Sequence, residues 1–316
     1  MSSASKPSLS VLVTGATGFI GQVVVAELLR CGYRVTALLR RIEQQHSLPS
    51  SSALECVVAD VTELDGLVDV MQGIDVVIHL AGVVWGPATQ MHDVMVDGTA
   101  NVIEAMRQAH VARLVLASSF LVYDWQRIDG VLTESSPLAD EKSNRQGAYS
   151  AAKVRQELMA HKLCKTHDIQ LVVLRPAAVV APKQLDAADL GPRLGPLQVV
   201  IAPFRKLRLV KLDHAVSAFV TACAANIQDG QAINLVDDRP LTAWQFAGSA
   251  RRDSHGFSVL VPLPYWLVMG TARLIYPVFN LMRISRFLPG LFIPDRVESR
   301  FKSVECDVQA WRRYLP

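Results

Sequence analysis

One eight-residue stretch restricts the folds open to this chain more than anything else in it. The apolar-rich run Leu9–Val13 leads directly into Thr14-Gly15-Ala16-Thr17-Gly18-Phe19-Ile20-Gly21. Glycines at 15, 18 and 21 suit a tight turn, a backbone that closely approaches a pyrophosphate, and a helix packed hard against a strand. Such a turn sets phosphates on the N–H groups at the positive end of the next helix dipole. A glycine triplet alone says little. Here it follows a strand pattern and opens a helix pattern, Ile20–Cys31, which is the context a dinucleotide-binding turn requires.

The remaining pattern supplies a fold for that turn. Short runs at Ser10–Thr14, Arg34–Leu39, Leu54–Val58, Val76–Leu80, Leu114–Ala117 and Leu171–Leu174 carry Val, Ile and Leu on both faces, as strands inside a parallel sheet must. Amphipathic stretches at Glu63–Met71, Met91–His110 and Ala148–His167 alternate with them. This order predicts an α/β fold: a doubly wound parallel Rossmann sheet with a smaller C-terminal substrate-binding cap. Residues 181–208 read as irregular, Ala215–Ile227 as a helix and Ala232–Val236 as a strand. The expected division is 9–180 and 209–239 for the dinucleotide-binding domain, and 181–208 and 240–316 for the cap, with 1–8 as a loose tail.

Composition narrows the partners. With 316 residues, 50% of them hydrophobic, the chain has ample core and is not disordered. A net charge of +3 without any Lys/Arg block argues against nucleic acid as a partner. Five scattered cysteines fit reduced thiols in the cytoplasm, and the first apolar run is too short for a signal peptide.

Nineteen residues beyond Gly21 the second strand ends at Arg40-Arg41, where an NAD binder usually carries Asp or Glu for the ribose hydroxyls. A guanidinium instead matches a 2′-phosphate, so NADP(H) is favoured over NAD(H), with Arg40 ahead of Arg41. Asp60, beside Val61, is placed to accept from the adenine amino group. The backbone of Leu80, Ala81 and Gly82 is expected along the cofactor, and His79 reads as a packed strand-end residue. Further on, Tyr149 and Lys153 share one helix face, one turn apart. A cation beside a phenol draws its pKa of about 10 toward neutrality and makes the tyrosine a usable acid or base. Ser118-Ser119 closes the fifth strand, where a hydroxyl can steady a substrate oxygen. His161, Cys164 and His167 spread around their helix, so no metal site is expected.

Together these motifs resemble the extended short-chain dehydrogenase/reductase family, in its NAD-dependent epimerase/dehydratase and 3β-hydroxysteroid dehydrogenase-like branch. The resemblance covers nearly the whole chain: TGATGFIG at 14–21, AD at 59–60, HLAG at 79–82, DGT at 97–99, SSFLVY at 118–123, YSAAK at 149–153 and LRPAAVVAP at 174–182. It implies Ser119, Tyr149 and Lys153 as the catalytic trio. It implies the glycine turn, Arg40, Asp60, Ala81, Tyr149 and Lys153 as cofactor contacts, with Pro176 to Val179 beside the nicotinamide. It also implies a homodimer built on the helices at 91–110 and 148–167. Met95, Asp124 and Val180-Ala181 depart from the family pattern and bear on substrate loops rather than on the trio. Ser119-Phe120-Leu121 replaces the threonine-aspartate-glutamate of the dehydratases, which disfavours water elimination.

The expected pocket lining includes Val84, Trp85, Phe120 and Trp125, which favours a hydrophobic substrate whose carbonyl and alcohol forms are interconverted. Arg193, Arg205, Lys206 and Arg208 keep open a nucleotide-sugar epimerase with retained cofactor. A non-catalytic dinucleotide-binding sensor or assembly factor is the alternative of another class, and the retained Tyr149/Lys153 pair argues against it. Mean hydropathy is +0.24, with the excess late in the chain. From Ser254 to Ala272 no residue carries a formal charge apart from His255, but Pro262, Pro264 and Gly270 interrupt the run. An apolar cap is therefore favoured over a spanning helix. Peripheral membrane contact, with Arg273, Arg283 and Arg286 at the headgroups, is the third reading.

Overall fold

The apolar runs pair side by side. In this computed structural model, which describes residues 9–140, 146–181, 190–252, 259–284 and 287–314, the first half runs β1 (Ser10–Thr14), α1 (Gly21–Arg30), β2 (Arg34–Leu39), β3 (Leu54–Val58), α2 (Asp65–Val70), β4 (Val76–His79), α3 (Ala88–His92), α4 (Gly98–Gln108), β5 (Arg113–Ala117), β6 (Val131–Leu132), α5 (Ala148–Thr166) and β7 (Gln170–Pro176). The second half adds β8 (Ala178–Val180), β9 (Arg193–Leu194), β10 (Leu197–Ile201), β11 (Leu209–Lys211), α6 (Leu212–Ala222), β12 (Gln231–Leu235), α7 (Ala243–Arg252), β13 (Val259–Leu263), α8 (Tyr265–Leu281), α9 (Pro294–Phe301), β14 (Glu305–Cys306) and α10 (Gln309–Tyr314).

Seven strands form one parallel sheet in the order β12-β7-β5-β4-β1-β2-β3. Crossovers from β1 run one way to β2 and β3, and the other way from β4 onward. The crevice at that switch lies outside the carboxyl ends of β1 and β4, where ligands bind in such sheets. Side chains alternate across the sheet and build two cores. Val11 and Val13 face α1 and α6, meeting Val24, Leu28 and Phe219. Leu12 and Val77 face the other layer, with Ile103 of α4 and Ala160 of α5.

Three features depart from the sequence reading. The helix expected over 91–110 is divided by a π-helical turn at Asp93–Asp97, which buries Met95 and Val96. Gly98 then starts α4 so close to Val61 that an added Cβ would lie 2.9 Å from its methyl. Residues 181–208 are not all irregular: β9 pairs antiparallel with β10, and β10 pairs parallel with β13, giving the cap a sheet of its own. Residues 305–314, grouped by sequence with the cap, pack on the large domain. There β14 pairs with β6, and Trp311 and Tyr314 lie against the α1/α6 core. The expected tail at 1–8, and Arg286, lie outside the described residues. Among the described residues no helix is long and apolar enough to cross a membrane.

Candidate active site

The turn after β1 is shaped by what its glycines lack. Gly15 has φ of +66°, and a Cβ there would lie 2.8 Å from the Leu80–Ala81 peptide. A Cβ on Gly21 would lie 2.2 Å from the Gly15 carbonyl oxygen, so α1 can begin against the turn only without a side chain. Gly18 is exposed and donates its N–H to Gly15 O at 3.0 Å. Gln22 braces the turn by donating to Thr17 O at 2.8 Å. Phe19 is exposed and Ile20 half-buried, and no side chain caps α1.

Arg40 and Arg41 stand exposed at the end of β2, their backbone N–H groups donating to Gln44 Oε1. Among the described residues neither joins an ion pair. The Asp60 carboxylate accepts from Thr62 N and Oγ1, both at 2.9 Å, and so holds the loop after β3. Val61 is buried beneath Gly98. Leu80 and Ala81 donate their N–H groups to the backbone oxygen and hydroxyl of Thr14, each at 3.2 Å. Gly82 lies beside the Met95 sulfur.

On the other side of the crevice, Ser119 follows β5. Its hydroxyl accepts from Leu121 N at 3.1 Å and caps a one-turn helix at Phe120–Val122. Ser150 fastens the start of α5 to that turn by donating to Leu121 O at 2.5 Å. The fold thereby sets the Ser119 hydroxyl beside the Tyr149 phenol, with Lys153 one turn further along α5. Tyr149 is half-buried against Val83, Met91, Met95 and Ala152. Burial pushes its phenol up to about 12, and the Ser119 hydroxyl beside it pulls the other way. Lys153 is 4% exposed, and its ammonium donates to Ala117 O and to Gln156 Oε1, both at 2.8 Å. Burial lowers it to about 8, against the Glu157 charge. The ammonium is spent on Ala117 and Gln156, and enclosure of the phenol disfavours its charged form.

A buried hydrogen-bonded chain runs on from Lys153. Gln156 Nε2 donates to Thr99 Oγ1 at 2.7 Å, and Thr99 donates its own proton to Met95 O at 2.6 Å. The bond between His79 Nε2 and Thr99 Oγ1, 2.9 Å, must then be donated by the histidine. Its Nδ1 accepts from Thr14 Oγ1 at 2.7 Å, and Thr14 accepts from Ala81 N. Burial holds His79 down at about 3, so it stays neutral, the Lys153 charge adding to the effect. One chain thus joins the lysine on α5 to the strand that carries the glycine turn. A second network fixes α5 from behind. Glu157, fully buried, accepts from Ser118 and from the Arg175 guanidinium. Arg175 also donates to Tyr123 Oη at 2.7 Å, and Tyr123 donates to Asn234 Oδ1 at 2.6 Å. Sequence reasoning missed both networks. Their signal was available: Gln156 and Glu157 lie three and four residues beyond Lys153, on its own helix face.

A cavity of about 200 Å³ opens beside Ser119, walled by Phe120, Trp125, Pro176 and Ala177, with Arg208 and Arg300 from the cap side. Val84 and Trp85 do not line it. Trp85 is 84% exposed on the loop after β4. Two cap arginines are committed to structure. Arg208 stacks 4.2 Å from the Trp125 ring and donates to the carbonyls of Ser299 and Lys302, each at 2.6 Å. Arg205, buried, lies 5.2 Å from the Phe301 ring. Lys206 pairs with Glu305.

The sequence model of the NAD dependent epimerase/dehydratase family matches residues 11–193. This chain belongs to that family. It is 28% identical over 244 residues to the 2-alkyl-3-oxoalkanoate reductase of Shewanella oneidensis, a match covering 73% of this chain and 62% of that one. It is 32% identical over 191 residues to cinnamoyl-CoA reductase 2 of Medicago truncatula, covering 57% of each. The chain spans under two-thirds of the length of these curated relatives. Its fold is similar to that of UDP-glucuronic acid 4-epimerase from Bacillus cereus in complex with NAD, with a TM-score of 0.71, 20% identity, and 97% of this chain and 92% of that chain covered.

The residues present fit the dinucleotide for which the family is named. The glycine turn is a cradle that Cβ atoms would fill at positions 15 and 21. The N–H groups at the start of α1 are left uncapped by side chains.

Proposed function

We propose that this protein is an NADP(H)-dependent oxidoreductase that interconverts a carbonyl and an alcohol on a hydrophobic small molecule. The observation that carries this reading is the grouping of Ser119, Tyr149 and Lys153 at the carboxyl edge of the sheet, with Ser119 in the wall of a largely apolar cavity. The names of two relatives, which describe reduction of a 2-alkyl-3-oxoalkanoate and of cinnamoyl-CoA, support it.

Bound nicotinamide supplies or takes up the hydride. The pyrophosphate belongs on Gly15, Thr17, Gly18, Phe19, Ile20 and Gly21, the 2′-phosphate on Arg40, the adenine beside Asp60 and Val61, and the nicotinamide end among Leu80, Ala81, Gly82, Pro176, Val179 and Lys153. This chain's own groups handle the proton. With a pKa of about 12, Tyr149 keeps its proton at neutral pH and donates it to the substrate oxygen as negative charge develops there. Ser119 donates a hydrogen bond to the same oxygen and orients it. Lys153, with a pKa of about 8, remains mostly charged at pH 7 and would hold the nicotinamide ribose and tune Tyr149. Phe120, Trp125 and Ala177 would seat an apolar substituent, and exposed Arg300 suits an acidic end group.

The epimerase reading draws support from the fold likeness and from the exposed Arg193, Lys206 and Arg300, but Arg205 and Arg208 are held in structural contacts and are not offered to a second pyrophosphate. NADPH and NADH oxidation over a panel of 2-alkyl-3-oxo acids, ketosteroids, aromatic aldehydes and UDP-sugars tests the choice. Turnover of an apolar ketone or aldehyde, preferring NADPH and falling about 10²–10⁴-fold in Tyr149→Phe, is expected. Activity confined to UDP-sugars, or failure to bind either dinucleotide, would overturn it.

A further inference from the structure

The helix α8 buries one face and shows a second that is just as apolar. Val268, Met269 and Ala272 pack inward with Val297 and Phe301 of α9 and Ile201 of β10. Leu267, Leu274, Val278 and Leu281 follow at steps of seven, four and three residues, so they share the opposite side. All four are exposed, Leu274 by 75% and Leu281 by 85%. Trp266, Met282 and Phe287 add further exposed apolar surface in the same segment. A helix apolar on both sides needs a second partner, because an unpartnered apolar stripe of this kind marks an interaction surface.

Charge indicates which partner. Between Asp253 and Asp295 the sequence has no acidic residue and only Arg273, Arg283 and Arg286 as fixed charges. Arg273 pairs with the largely buried Glu298 at 3.3 Å. Arg283 is exposed and joins no ion pair among the described residues. A second copy meeting this face would bring the same acid-free segment and so no carboxylate of that segment for Arg283. An anionic lipid leaflet is complementary to it. Pro277 lies inside α8, and at 17 residues the helix is shorter than a span requires, so the geometry suits lying in the interface.

We propose that the outer face of α8 docks on an anionic membrane surface, with the leucine stripe at the acyl boundary and Arg283 among the headgroups. This surface is independent of the proposed reaction. It adjoins the cavity through α9, which packs on α8 and contributes Ser299 and Arg300 to the cavity wall.

Flotation of the full chain with phosphatidylcholine vesicles, with and without phosphatidylglycerol at about one lipid in three, tests the proposal. Binding to the anionic vesicles, weakened by salt, is expected. Leu274→Glu combined with Leu281→Glu should reduce it at least about tenfold, and Arg283→Glu should shrink the preference for anionic over neutral vesicles. These exposed positions leave the fold intact, checked by an unchanged melting curve and unchanged dinucleotide binding. An Arg283→Glu variant with its own unchanged melt serves if the double variant unfolds. Absence of binding by the parent chain, or binding unaffected by both variants, overturns the proposal. So does a dimer in sedimentation that Leu274→Glu splits while vesicles bind nothing, which would assign the face to a second copy.

Discussion

Replacing Gln156 by leucine removes one of the two acceptors that hold the Lys153 ammonium, leaving the Ala117 carbonyl. A hydrogen bond to a charged group contributes about 1.5–3 kcal/mol net, and one pKa unit corresponds to about 1.4 kcal/mol. The lysine midpoint should therefore fall by roughly one to two units from its value of about 8. Near neutral pH the group would pass from mostly charged to half-charged or less. Thr99 keeps Met95 and His79 as partners, so the change acts on the lysine rather than orphaning the chain behind it. The Cε shifts of labelled lysine report the titration, with the Lys153 signal identified by its loss in Lys153→Met. On the proposed function the charged lysine is the working form, and it is lost as pH rises through its midpoint. The basic limb of the turnover profile should consequently move down by the same one to two units. Gln156→Glu should move both readouts up, since a carboxylate favours the ammonium. A midpoint that stays within about 0.3 unit in both variants would refute the reasoning.

Glu157→Leu should destabilise the fold by roughly 3–5 kcal/mol, because it leaves the Arg175 guanidinium buried without its carboxylate. A urea midpoint shift at constant m-value measures it, and a loss under about 1 kcal/mol would contradict the account. His79 binds fewer protons folded, at about 3, than its usual 6.5 allows unfolded, so stability should fall as pH drops through that window. The full effect is roughly 4–5 kcal/mol, and His79→Gln should flatten the acid limb of stability against pH. Arg40→Asp should weaken NADPH about ten- to a hundredfold with little change for NADH, by fluorescence titration; equal losses for both would remove the 2′-phosphate role.

Legibility in the sequence followed the range of the forces involved. The strands β1, β2, β4, β5 and β7 showed because burial on both faces favours runs of Val, Ile and Leu, and β3 showed by a similar run although it lies partly exposed at the sheet edge, while the two-residue β6 was not foreseen. The glycine turn showed because only a missing Cβ permits the approaches at 15 and 21. The strand β10 was harder to see, since its partner β13 lies about sixty residues onward and a five-residue run between Gly195-Pro196 and Pro203 has no local mark of pairing. The π-turn at Asp93–Asp97 was hidden because the apolar spacing over 91–110 suits a continuous helix. Trp85 was expected at the pocket for its aromatic character, but nothing local to it reports exposure.

The amino-acid order by itself determined the parallel sheet, the dinucleotide turn and the nearness of Tyr149 to Lys153, because each depends on residues adjacent in sequence or on a single period. Only tertiary structure decided the ionisation of those two side chains. Their pKa values depend on how completely they are enclosed and on partners drawn from elsewhere: Ala117 from β5, Thr99 from α4 and, through it, His79 from β4. Tertiary packing likewise turned Arg208 from a candidate ligand-binding cation into a clamp on the end of α9, and left the leucine stripe of α8 facing outward. Solvent exposure is a property of the assembled surface and is written in no local stretch of the chain.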